Sequence, residues 1–137
     1  MPGCLFCPIV ADTVPAIKVV DSPDGVGFLD IRPVFKGHVL VVPRAHVAQL
    51  TDLPGEMLPG FFALVQRVAA AVPVALGAQG TFVAMNNVVS QSVPHLHAHV
   101  VPRTKGDGLR GFFWPRHTYD SDAEARSYAD RIAAALG

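Results

Sequence analysis

The chain has 137 residues, half of them hydrophobic, with 11 basic and 11 acidic side chains and no formal net charge. That length supplies one domain with its own core and is short for two, and the balanced charge, without a basic stripe, argues against a nucleic-acid polymer as ligand. No uninterrupted apolar run approaches the roughly 20 residues of a membrane span, and Met1-Pro-Gly-Cys4 lacks the basic segment and long apolar stretch of a signal peptide. A cytoplasmic protein acting on a small molecule is the expectation.

In chain order, the first feature is Cys4-x-x-Cys7, which holds the only two cysteines. Two cysteines make no disulfide scaffold at this length; a redox dithiol, two metal ligands or two idle thiols remain open from spacing alone. Val19 to Asp21 and Gly27 to Ile31 read as short strands around the turn residues Pro23-Asp24-Gly25. His38 to Pro43 is a β-branched run opened by Gly37. Apolar Leu58, Phe61 or Phe62, Val65, Val68 or Ala69 and Val72 recur at helical spacing, predicting a helix over Pro59 to Leu76. Gly77 is placed to stop it, and Pro73 to disturb its last turn.

Thr81 to Met85 is a further strand, and His95 to Val101 another. Thr104 to Tyr119 is a long loop rich in glycine, aromatics and arginine, of a length often given to function. Ala125, Tyr128 or Ala129, Ile132 and Leu136 predict a last helix over Asp122 to Leu136, capped by Ser121 or Asp122. Successive strands with two main helices suggest an antiparallel α+β fold in a single domain, residues 1–137.

The strand from His95 to Val101 carries the chemistry. A strand turns alternate side chains to opposite faces, so His95, His97 and His99 share one face at about 7 Å spacing, and Leu96, Ala98 and Val100 turn the other way into a core. Three imidazoles on one face are costly to bury unless metal, phosphate or hydrogen bonds satisfy them. The stretch Gln91-Ser-Val-Pro-His-Leu-His-Ala-His-Val-Val-Pro-Arg103 resembles the signature of the histidine-triad (HIT) superfamily, in which histidines alternate with apolar residues. The likeness extends to Cys4-Leu-Phe-Cys-Pro-Ile9, Phe28-Leu-Asp-Ile-Arg-Pro33 and Gly37-His-Val-Leu-Val-Val-Pro-Arg-Ala-His46.

The resemblance implies a HIT-like antiparallel sheet of about five strands, a homodimer, and removal of a nucleoside monophosphate from a leaving group. It implies His97 as the nucleophile on the α-phosphate, forming a covalent nucleotidyl-histidine; imidazole, with an ordinary pKa near about 6.5, suits that role at neutral pH. His99 is implied as a donor to a phosphate oxygen, with Gln91 and Ser92 holding the phosphate or serving the leaving group. His38 is placed behind these residues. Asp30 is implied as the carboxylate that accepts both ribose hydroxyls, Leu5, Phe6, Ile9, Phe28 and Ile31 as the lining of a purine pocket, and Asn86 as a contact to the sugar-phosphate. Cys4, Cys7, His46 and His95 match the ligands of a structural Zn²⁺ site, closed and tetrahedral.

Two departures stand out. The segment Asn86-Asn-Val-Val-Ser-Gln91 is about two residues shorter than the family's glycine-rich loop, with Ser90 where glycine is common, and Lys105 to Arg116 is not general to the superfamily. The implied activity is a purine-nucleotide hydrolase, releasing AMP from a phosphoramidate, polyphosphate or other leaving group. Alternatives are a nucleotidyl transferase or phosphorylase, for which Arg103, Lys105, Arg110 and Arg116 offer cations, and a nucleotide-binding module with little catalysis. A metallohydrolase using the triad as ligands fits the whole signature poorly, and His117, outside every motif, is assigned to the surface.

Overall fold

The β-branched runs become one antiparallel sheet. The computed structural model describes residues 3–109 and 116–137, in two compact units, Met1–Asp107 and Gly108–Gly137. In the first unit the strands are β1 (Lys18–Ser22), β2 (Gly25–Leu29), β3 (Val39–Val42), β4 (Gly80–Ala84) and β5 (Ala98–Arg103), in the spatial order β1-β2-β3-β5-β4. A single-turn helix α1 (Cys7–Val10) precedes them, and α2 (Leu58–Leu76) lies between β3 and β4. The α+β class and the five-stranded antiparallel sheet are those expected from the sequence.

All four residues of β3 are buried, because both faces of the sheet centre are covered. On one face, Phe61, Leu64, Val65, Val68 and Val72 of α2 pack against Val39, Val41, Leu96, Ala98 and Val100. Burial of each such side chain stabilises by roughly 1.5–3 kcal/mol. On the other face, Cys4, Phe6 and Val93 close over Val26, Phe28, Leu40 and Val42. Helix α2 ends at Gly77, whose left-handed φ of 69° satisfies the C-terminus, and it continues through Pro73. Together with the preceding turn, Gly55–Leu76 is long and apolar enough to cross a membrane, with a mean hydropathy of 1.5. Glu56 and Arg67 interrupt that stretch, and its face carrying Phe61, Leu64, Val65, Val68 and Val72 is buried on the sheet.

Strand boundaries move by one or two residues, and the largest shift falls on the triad. The expected strand over 95–101 begins only at Ala98, and His95 and His97 lie in the bend leading into it. The Leu96 N–H donates to Val47 O at 2.8 Å, a bond to the segment after β3 and not to a strand partner. The alternation survives the bend: Leu96, Ala98 and Val100 are fully buried against α2.

In the second unit, α3 (Asp122–Leu136) matches its predicted bounds. Ser121 Oγ accepts the Glu124 N–H at 3.1 Å and the Glu124 carboxylate accepts the Asp120 N–H at 2.9 Å, a local cap legible in Ser121-x-x-Glu124. The long loop expected before it lies partly outside the described residues, including Arg110; His117 is exposed, as assigned.

Candidate functional site

Four side chains distant in sequence meet at the N-terminal segment. The α1 turn brings Cys7 beside Cys4, whose Sγ accepts the Cys7 N–H at 3.3 Å. His46, just after β3, places Nδ1 3.1 Å from Cys7 Sγ. His95 Nδ1 lies 3.5 Å from Cys4 Sγ and 3.6 Å from Cys7 Sγ. The four ligand atoms are all within 4.8 Å of one another. A tetrahedral Zn²⁺ with ordinary Zn–S and Zn–N bonds separates sulfur from nitrogen by about 3.6 Å, so the cluster fits that ion. The far nitrogen of His95 donates to Pro43 O at 3.1 Å; the carbonyl can only accept, so Nε2 carries the hydrogen and Nδ1 turns a lone pair toward the thiols. Burial lowers the His95 pKa, which favours that neutral form. Burial and the adjacent Cys4 raise the Cys7 thiol, a cost that a bound cation removes by holding the thiolate.

His97 is buried next to this cluster, 4% exposed. Its Nδ1 donates to the backbone carbonyl of His95 at 2.7 Å, so the neutral ring keeps its lone pair on Nε2. The Phe6 ring meets His97 edge-on, with centroids 5.1 Å apart, and Phe28 packs on Phe6 at 5.3 Å. Both phenylalanines therefore brace the histidine wall.

His99, within β5, pairs with Leu40 in the ladder and its ring lies 4.9 Å from that of His97. Its Nδ1 sits 3.0 Å from His38 Nε2. Burial first, then His97 and His38, bring His99 down to about 4, so it is neutral at neutral pH. His38 Nδ1 accepts the Val34 N–H at 3.1 Å. Asp30 Oδ2 stands 3.7 Å from the same His38 nitrogen, and Asp30 Oδ1 accepts the Arg32 N–H at 2.8 Å. Burial lowers the His38 pKa, against the opposing pull of Asp30.

The other predicted residues divide. Ile9 is half-buried, whereas Leu5 and Ile31 are exposed, Ile31 at 94%. Gln91 turns its side chain to structure: its Nε2 donates to Ala48 O, and its Oε1 accepts the Val88 N–H at 3.3 Å. Asn86 is exposed; the neighbouring Asn87 accepts the Leu50 N–H at 2.9 Å. Ser92 is exposed beside Gln91. Within the loop Val88 and Ser90 have φ of 69° and 61°, so Ser90 occupies the left-handed geometry that explains glycine in that place. Arg103 is paired with Asp107 at 2.7 Å. A groove of about 830 Å³ lies between α2 and β1–β3, but its lining is apolar except for Arg67 and it includes no member of the triad.

The HIT domain family matches residues 11–106. The adenosine 5'-monophosphoramidase of Schizosaccharomyces pombe is 31% identical, over 98% of each chain. Among solved structures, a HIT family protein from Bacillus subtilis superposes with a TM-score of 0.91 at 31% identity, over 98% of each chain. A Zn-bound histidine triad protein from Mycobacterium smegmatis does so with a TM-score of 0.74 at 38% identity, over 97% of each chain. The match spans most of the chain and contains His97, His99, His38 and Asp30, and on it the chain is a member of the HIT family.

Proposed function

We propose that the protein is a purine-nucleotide hydrolase that releases AMP from a phosphoramidate or related conjugate through a nucleotidyl intermediate on His97. The observation that carries this is the 2.7 Å bond from His97 Nδ1 to the His95 carbonyl. It leaves the Nε2 lone pair in the form a nucleophile needs. Attack at the α-phosphorus forms an N–P bond and breaks the bond to the leaving group; water then cleaves the N–P bond, frees AMP and restores His97. His99 donates to a phosphoryl oxygen, and the exposed Ser92 hydroxyl serves the leaving group. Asp30 keeps Oδ2 for the ribose hydroxyls, and exposed Leu5 and Ile31, with Ile9, offer apolar surface to the base. The name of the fungal relative supports an adenosine phosphoramidate as substrate class.

Cys4, Cys7, His46 and His95 hold a structural Zn²⁺ in this reading, which neutralises the thiolates and ties the N-terminal segment to the triad. Free thiol ligands agree with a reducing, cytoplasmic location. Strand β4 is an edge of the sheet and its sequence Gly-Thr-Phe-Val-Ala84 has neither charge nor proline; such an unprotected edge favours pairing with a second copy, hence a homodimer.

A panel of adenosine phosphoramidates and dinucleoside polyphosphates, with and without inorganic phosphate, tests the activity. AMP formed independently of phosphate is the expected result. ADP formed only with phosphate would assign the chain to the phosphorylase reading, and the pairing of Arg103 with Asp107 weighs against that cationic pocket.

A further inference from the structure

The Cys4-x-x-Cys7 pair answers two chemical descriptions at once, a metal-holding pair and a dithiol. Both sulfurs belong to the cluster whose ligand atoms lie within 4.8 Å of one another, and Cys7 opens the single-turn helix α1 three residues after Cys4. They are the only cysteines in the chain, so each is the other's sole partner for an internal disulfide. Access to them is unequal. Cys4 is buried and Cys7 half-buried, so a small oxidant arriving from solvent meets Cys7 first. Cys4 stands directly behind, its Sγ accepting the Cys7 N–H at 3.3 Å. The two imidazoles of the cluster are held from elsewhere: His46 follows β3, and His95 is anchored through Nε2 to Pro43 O at 3.1 Å. Helix α1 itself has no fully buried residue. Cys4 and Phe6 are what this segment sends into the core, and Phe6, between the two cysteines, lies edge-on to His97.

We propose that Cys4 and Cys7 form an oxidation site for hydrogen peroxide: a disulfide between them releases the bound zinc and loosens the Phe6 segment from His97. The proposal rests on the metal centre put forward above and is independent of the substrate. The Cys7 thiolate attacks one oxygen of peroxide, the O–O bond breaks, and Cys7 becomes a sulfenic acid as hydroxide leaves. The Cys4 thiolate then attacks the Cys7 sulfur; the S–S bond forms, the S–O bond breaks and a second hydroxide leaves. In sum, two thiolates, one peroxide and two protons give one disulfide and two waters, and peroxide takes up the two electrons that the cysteines lose. Thiolate, not thiol, is the reactive form, and a metal-held sulfur is already deprotonated, so the loaded centre needs no separate base. Once the disulfide closes, only His46 and His95 remain of the four donors that a closed site requires. Exchange with a small dithiol returns both thiols, and with them the site.

The zinc-loaded full chain, titrated with hydrogen peroxide in the presence of a chromogenic zinc indicator, tests this. The expected result is release of about one zinc per chain together with loss of both titratable thiols. The tryptic peptide of residues 1–18, which holds both cysteines, then weighs two hydrogens less than its reduced form. Amide hydrogen exchange over residues 4–10 quickens on oxidation and returns to its starting rate after dithiothreitol and added zinc. Zinc that stays bound while peroxide is consumed at the methionines overturns the proposal. So does zinc release with a sulfinic acid in place of the disulfide, or unaltered exchange over residues 4–10 in the disulfide form. A reduced chain that takes up no zinc rejects the metal centre itself, and the proposal falls with it; that failure is distinct from the others. None of these readouts uses a nucleotide, so they stand apart from the hydrolase reading.

Discussion

Replacing Val88 by glycine should make the protein more stable, although the change deletes a whole side chain. Val88 sits at φ 69°, a left-handed conformation that costs an L-residue roughly 1–2 kcal/mol and a β-branched one no less. Glycine adopts it freely but gives up roughly 0.5–1 kcal/mol in chain entropy. The isopropyl group is 69% exposed, so its deletion forfeits only a few tenths of a kcal/mol of burial. The bond from the Val88 N–H to Gln91 Oε1 belongs to the backbone and remains. The balance is a gain of about 0.5 kcal/mol, equivalent to a rise in Tm of roughly 2 °C for a chain of this size. Urea denaturation of wild type and Val88→Gly at equal m-value gives the difference directly. A loss of stability of similar size would refute the reasoning, because it would mean that the side chain is packed or that the backbone is not left-handed there.

Two further outcomes follow from the site. Purified protein should contain about one zinc per chain, and Cys7→Ser should lose it; elemental analysis decides, and unchanged metal content in the variant would reject the four-residue centre. The His99 pKa of about 4, below its unfolded value of about 6.5, gives stability a definite pH dependence. The native state refuses a proton that the unfolded chain accepts, so this contribution is complete above about pH 6.5 and is lost as pH falls toward about 4. The slope of stability against pH in that window should be shallower in His99→Asn, measured by denaturant titration; an identical slope would contradict it.

The sequence revealed the motif chemistry and hid the non-local geometry. Cys4, Cys7, His46 and His95 could be grouped before any fold was known, because each lies in a recognisable motif, and they converge. Helix α3 was legible because Ser121 and Glu124 cap it locally. The start of β5 was not. Alternation of apolar residues runs unbroken through His95 and His97, and only bonds to Pro43 and Val47, some 50 residues away in sequence, divert the backbone from the ladder. The bond from the Val34 N–H to His38 Nδ1 was equally hidden, since no side-chain pattern advertises a main-chain donor. The turn of Gln91 away from a ligand role toward Ala48 has the same origin: a side chain of ambiguous use, claimed by a partner distant in sequence.

His97 as nucleophile is tested most directly by trapping the intermediate. Wild-type protein mixed with an adenosine phosphoramidate and quenched within the first turnover should carry one AMP group, and peptide mapping by mass spectrometry should place it on His97. His97→Ala should carry none and turn over no substrate while still binding AMP by calorimetry. An adduct on another residue, or turnover by His97→Ala near the wild-type rate, would contradict the assignment.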